Sequence, residues 1–235
     1  MRLICGVRKQ KHDCEYNQLE QTMEQVLIYA DSLTWGIIPN TRNRLPFDKR
    51  WPGVFENSLK EKGAAVRVIE NCLNGRRTAW PDPFKNGRDG SQGLSELIEI
   101  CSPLKLVILM LGTNDFQATH QINAWMSAQG TAKLVQIIRQ APIEPGMPVP
   151  EIMIVVPPKI TEPKGEIANK FQGAEKRCVG LSSELEKIAQ EQSTMFFDTA
   201  STTAASTVDG IHLDEDQHRL VGEAIADVIS ARKIF

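Results

Sequence analysis

The sequence lacks any apolar run close to the roughly 20 residues that a membrane-spanning helix needs. Its longest, Leu104 to Leu111, is interrupted by Lys105 and has the length of a strand, so a helical span is excluded. An excess of charge of one sign is missing as well: 27 Lys and Arg face 29 Asp and Glu, a formal charge of −2. That near-balance argues against a broad electrostatic surface for nucleic acid or an anionic membrane. Cysteine is sparse and unpaired in pattern. Cys5, Cys14, Cys72, Cys101 and Cys178 are odd in number and contain no C-x-x-C, which suits reduced thiols better than a disulfide framework or a zinc site. His12-Asp13-Cys14 is a weak metal motif without a second pair of ligands, and no bound metal is expected. The first residues hold only a five-residue apolar stretch and no small-residue cleavage site, so a cytoplasmic chain is expected.

What is present is an ordinary globular composition. With 235 residues, 41% of them hydrophobic and 24% charged, the chain can build one sizeable core and remove roughly 70% of its unfolded surface from water. Val26-Leu27-Ile28-Tyr29-Ala30, Val66-Arg67-Val68-Ile69-Glu70, Leu106 to Leu111, Ile152 to Val156 and Met195-Phe196-Phe197 have the length and β-branched content of strands. Between them, helical periodicity marks Trp51 to Lys60, Ser91 to Cys101, Gly130 to Gln140, Glu166 to Gln192 and a last helix with Leu220, Val221, Ala224, Ile225, Val228 and Ile229 on one face. Continuous apolar strands alternating with helices predict an α/β domain, a parallel five-stranded sheet wound with helices on both faces. Residues 1–24 are polar and aperiodic and read as an appended arm, leaving residues 25–235 as the domain.

Ligands of such sheets bind at the carboxyl ends of the strands near a topological switch point. Three loops there carry residues with catalytic capacity: Asp31-Ser32-Leu33-Thr34-Trp35-Gly36, Gly112-Thr113-Asn114-Asp115 and Asp209-Gly210-Ile211-His212. A serine hydroxyl attacks only when a base takes its proton, and the base needs an orienting group. Ser32 is the candidate nucleophile, His212 the base, and Asp209 the orienting carboxylate. A developing oxyanion needs donors, which the Asn114 amide, the Gly75 N–H in the Asn74-Gly75-Arg76 turn and the Ser32 N–H can supply. Taken singly, each motif has a plainer reading: Asp31-Ser32 caps a helix, Gly112 to Asp115 is a turn, and Asp209 or Asp214 caps the last helix.

Together, ADSLTWG, NGRRT, LGTND and DGIHLD resemble the four signature blocks of the SGNH (GDSL-type) serine hydrolases, in particular the bacterial arylesterase and acyltransferase branch, from about Met23 to the C-terminus. The resemblance implies a flavodoxin-like α/β/α sandwich, a Ser32–His212–Asp209 triad, an oxyanion hole of Ser32, Gly75 and Asn114, no cofactor, and a homo-oligomer acting on small-molecule esters. Ala30 departs from the leading glycine of the first block; a methyl there is tolerable unless the backbone needs a positive φ. The missing G-x-S-x-G pentapeptide argues against an α/β-hydrolase nucleophile elbow.

The expected activity is hydrolysis of short-chain acyl or aryl esters through an acyl-enzyme, increasing through about pH 6 to 8 as a histidine base becomes neutral. Alternatives are acyl transfer to an alcohol, deacetylation of a carbohydrate, or a non-catalytic flavodoxin-like binding module in which the Ser32 loop grips phosphate. Trp35, and less so Trp80 and Phe116, could line the substrate pocket, and 116–129 could wall it or join subunits. Arg76 and Arg77 read as solvated or surface-paired, and His12, His120 and His218 as solvated.

Overall fold

The computed structural model describes residues 23–235. Strands β1 (Glu24–Ala30), β2 (Val66–Cys72), β3 (Leu106–Met110), β4 (Glu151–Val156) and β5 (Met195–Asp198) form one sheet in the order β2-β1-β3-β4-β5. All four pairings are parallel. The order reverses between β1 and β3, so the crevice at their carboxyl ends is the switch point that the doubly wound topology reserves for ligands.

Sheet position accounts for the strand sequences. Val26 through Ala30 and Leu106 through Met110 are between 0% and 3% exposed, because both faces of these central strands are covered; alternation is unnecessary there. Edge strand β5 alternates buried and half-buried residues. Helices α2 (Trp51–Glu61) and α7 (Glu215–Ala231) pack against each other, while α4 (Ala124–Gln140) packs against α3 (Leu94–Cys101) and α6 (Leu181–Glu191). The two remaining helices, α1 (Ser32–Trp35) and α5 (Ala174–Arg177), are single turns.

Three expectations need correction. The helical composition of 166–192 does not make one helix: left-handed backbone at Gly173 and Gly180 divides it into α5 and α6. Helix α4 starts at Ala124, earlier than periodicity implied, because the Asn123 side chain accepts from the Met126 N–H at 2.9 Å and caps it. Residues 124–129 of the 116–129 segment are therefore helix, with Phe116 fully buried and Trp125 58% exposed. Glu24, assigned to the arm, opens β1 and pairs with Val66; the rest of the proposed arm, apart from Met23, lies outside the described residues, as do His12, Asp13 and Cys14. Among the described residues no helix is long and apolar enough to cross a membrane, and no cluster of His, Cys, Asp and Glu could hold a metal ion.

Candidate active site

Ser32 lies two positions past the last residue of β1, after Asp31, and opens α1. The Asp31 carboxylate accepts from the Leu33 N–H at 3.0 Å, so the capping reading of Asp31 holds, and the cap fixes the turn on which Ser32 sits. The other Asp31 oxygen accepts from the Asn114 amide at 2.9 Å. Asn114 Oδ1 in turn accepts from Gln117 at 2.8 Å, which sets the amide orientation and leaves the second Nδ2 hydrogen free of Asp31. Thr113–Phe116 is one turn of 3-10 helix, so the turn reading of this motif holds as well.

His212 arrives from the other side. Asp209-Gly210-Ile211-His212 forms a tight turn in which Asp209 Oδ1 accepts from the Ile211 and His212 N–H groups, each at 2.9 Å. Gly210 has φ +77°, and a Cβ there would stand 2.3 Å from the Glu162 carbonyl oxygen. Backbone bonds from Thr161 N–H to Gly210 O and from Lys164 N–H to Asp209 O, both 3.0 Å, hold the turn against the segment after β4. His212 Nδ1 lies 2.7 Å from Asp209 Oδ2, and His212 Nε2 lies 3.2 Å from Ser32 Oγ. With Nδ1 protonated and donating to Asp209, Nε2 is the acceptor for the serine hydroxyl. All three residues are buried, at 6% exposure or less.

Burial pushes the Asp209 carboxyl up, but the His212 hydrogen bond and charge, followed by the His212 and Ile211 N–H groups, outweigh it and hold the group at about 2. Asp31 goes the other way. Burial raises it to about 6, against the Leu33 N–H, the His212 charge, the Asn114 amide and Arg76.

Gly75, φ +86°, and Ser32 keep their N–H groups free of any hydrogen bond to the described chain. Ala30 has no positive φ; it is a regular β1 residue paired with Cys72 and Met110, so its methyl needs no special backbone.

Arg76 and Arg77 correct the expectation of solvated arginines, being 7% and 0% exposed. Arg76 donates to the Ala30 carbonyl at 3.0 Å and stacks on Tyr29 at 3.8 Å, tying the Gly75 turn to the end of β1. Arg77 donates to Gln117 at 3.0 Å and Thr119 at 2.8 Å. His218 is also a correction: it is fully buried, and its Nδ1 accepts from the Trp51 N–H at 3.3 Å. His120 is half-buried beside the Pro81 carbonyl.

Spacing alone did not reveal Asn40, whose N–H donates to Asp209 Oδ2 at 3.3 Å, or Asp115, which accepts from the Thr78 N–H and from the Thr78 and Ser127 hydroxyls. A cavity of about 180 Å³ opens on Asp209 and His212 between residues 37–42 and 166–170. Trp35 is not in its wall; its ring carries the Arg44 guanidinium at 4.6 Å.

Residues 31–220 match the GDSL-like lipase/acylhydrolase family. The chain belongs to that family. Solved structures agree over nearly its whole length. An inhibitor-bound aryl esterase of M. smegmatis is 30% identical, covers 90% of this chain and 100% of its own, and has a TM-score of 0.83. A putative arylesterase of Agrobacterium tumefaciens is 36% identical over 91% of this chain and 100% of its own, TM-score 0.81. Est24, a carbohydrate acetylesterase of Sinorhizobium meliloti, is 31% identical over 89% and 99%, TM-score 0.82. No curated protein sequence matches the chain. The α/β fold with its five-stranded parallel sheet is thus that of the SGNH hydrolases.

Proposed function

We propose that this GDSL-family protein is a serine esterase that hydrolyses short-chain acyl or aryl esters through an acyl-enzyme on Ser32. The observation that carries the proposal is the chain of contacts from Ser32 Oγ to His212 Nε2, 3.2 Å, and from His212 Nδ1 to Asp209 Oδ2, 2.7 Å. His212 takes the serine proton as Oγ bonds to the carbonyl carbon, and Asp209 holds the ring and offsets the charge it gains. The oxyanion meets the Ser32 and Gly75 N–H groups and the free Nδ2 hydrogen of Asn114. Collapse breaks the bond to the leaving oxygen, which receives the proton from His212. Water then repeats the sequence on the acyl-serine, releasing the acid and restoring Ser32.

Hydrolysis of p-nitrophenyl acetate by the wild type and by Ser32→Ala tests this. Turnover should fall by several orders of magnitude in the variant; comparable turnover in both would remove Ser32 from the mechanism.

The likeness to Est24 supports a second substrate class on the same site, acetylated carbohydrate, for which acetate release from acetylated sugars is the assay. Acyl transfer is the third outcome of the same intermediate, detected as ester formation when an alcohol competes with water. A phosphate-gripping, non-catalytic role finds little support, since it has no use for a histidine aligned between Ser32 and Asp209. We also propose a homo-oligomer, which sedimentation tests; a monomer at assay concentration would refute it.

A further inference from the structure

Arg77 is a fully buried cation whose nearest carboxylate, Asp82, stands 3.9 Å away, and its Nε and Nη1 have no hydrogen-bond partner among the described residues. Taking a guanidinium out of water on such terms costs free energy. Packing alone does not call for it, since an apolar side chain of similar volume avoids that cost. What Arg77 does hold, through Nη2, is Gln117 Oε1 at 3.0 Å and Thr119 Oγ1 at 2.8 Å.

Gln117 is 1% exposed and follows the 3-10 turn that carries Asn114; its Nε2 donates to Asn114 Oδ1 at 2.8 Å. One line of contacts therefore runs from Arg77 to Gln117, to Asn114 and to Asp31, over 3.0, 2.8 and 2.9 Å. Its two ends are chemically one-way. A guanidinium only donates and a carboxylate only accepts, so each amide between them has a single orientation in which every contact joins a donor to an acceptor. Turning Asn114 over would set its Oδ1 against the Asp31 carboxylate and its Nδ2 against the Gln117 amide hydrogens. The cation also polarises the line in one sense, making each successive N–H a better donor.

We propose that Arg77 and Gln117 are positioning residues for the oxyanion hole, fixing which way the Asn114 amide faces and strengthening its free N–H. The inference rests on the esterase reading above and adds the groups on which its side-chain donor depends. Of the three proposed donors, Ser32 and Gly75 act through backbone N–H groups that their turns already fix. Asn114 acts through a side chain with two ways to lie, and it is the one that needs holding.

The test is the kcat and KM of p-nitrophenyl acetate hydrolysis in the wild type, Gln117→Met, Gln117→Glu, Asn114→Ala and the double variant Asn114→Ala with Gln117→Met. Gln117→Met keeps the length of the side chain without its hydrogen bonds, and should lower kcat about tenfold to 100-fold with KM within about twofold. Gln117→Glu still pairs with Arg77 but sets an acceptor against Asn114 Oδ1, so it should lower kcat further while melting no earlier than Gln117→Met. In the Asn114→Ala background Gln117→Met should cost less than about threefold more, because the group it positions is gone. Arg77→Met, one step further out, should lower kcat about threefold to tenfold, and Arg77→Lys should recover most of that. An unchanged kcat in Gln117→Met, or a loss of equal size with and without Asn114, would make the line scaffold only and overturn the proposal while the esterase stands. A folded wild type that cleaves no ester would overturn both.

Discussion

Asp31 and Asp209 are each 1% exposed, and each accepts backbone N–H groups of the turn it begins, yet one is raised to about 6 and the other held at about 2. The difference lies chiefly in the His212 ring, whose hydrogen bond and charge are the largest influences holding Asp209 down. Asp31 receives the Leu33 N–H and the Asn114 amide. Asp209 receives the N–H groups of Asn40, Ile211 and His212, and the His212 ring besides. Burial penalises a carboxylate in both places, and at Asp209 the hydrogen bond and charge of His212, joined by backbone N–H groups, overcome it. The comparison separates two tasks: Asp209 stays ionised under any working condition and can stabilise an imidazolium, whereas Asp31 is a positioning residue that holds the Asn114 amide and the Ser32 turn.

The sharpest way to break that division is Asp209→Asn. An amide keeps the size but presents a donor to His212 Nδ1, which favours the wrong tautomer, and kcat should fall about 1,000-fold to 10,000-fold. Turnover of p-nitrophenyl acetate within tenfold of wild type, in a variant with an unchanged melting profile, would mean that Asp209 only builds the turn. The Asp31 side is probed through its partner. Asn114→Ala removes one of the proposed oxyanion donors and should cost about 100-fold to 1,000-fold in kcat, less than the Asp209 change. A loss confined to KM would assign Asn114 to substrate binding alone.

How much of this was legible in the sequence follows from what each residue needs. Ser32, Asn114, Asp209 and His212 stand in short motifs at strand ends, and the topology of a parallel sheet suffices to bring such ends together. The five strands were legible for the same reason, since central parallel strands are apolar throughout. Arg76 and Arg77 were not. A buried arginine and a solvated one look alike in a loop, and burial here depends on the Ala30 carbonyl and on Gln117 and Thr119, all distant in sequence. For His218 the signal existed: with Val221, Gly222, Ile225, Ala226 and Ile229 it forms the buried stripe of α7, about one residue away in register from the face that Leu220 and Val228 suggested.

Asp115 shows that the kind of donor decides more than the number, because three donors do not rescue it. The Thr78 N–H and the Thr78 and Ser127 hydroxyls all point to its oxygens, yet burial still raises it to about 6. Hydroxyls and one amide, without an imidazole, are not enough. A carboxyl raised from 3.8 to about 6 contributes stability that is complete below 3.8 and is lost as pH increases through 6. Asp115→Asn cannot ionise, so its stability relative to wild type should improve by about 2.5 kcal/mol between pH 4 and pH 7. Urea unfolding at the two pH values measures the change, and a constant difference would show that Asp115 is ionised at little cost.

His218 extends the comparison to a base and gives the smallest effect. Burial, then the charges of Arg50 and His212, lowers it from 6.5 to about 3, and its Nε2 is buried without a hydrogen-bond partner. A depressed histidine contributes stability that is complete above 6.5 and is lost as pH falls toward 3, the reverse of Asp31 and Asp115. From pH 7 to pH 5 the histidine forfeits about 2 kcal/mol while each raised carboxyl regains about 1.3, so the wild type should change little over that interval. His218→Asn can keep an acceptor for the Trp51 N–H and removes the titration. Its overall stability drops because the ring leaves a void, but that loss is independent of pH. The variant should therefore gain about 2 kcal/mol relative to wild type on going from pH 7 to pH 5, and urea midpoints that keep the same separation at both values would place a protonated imidazole in the folded core.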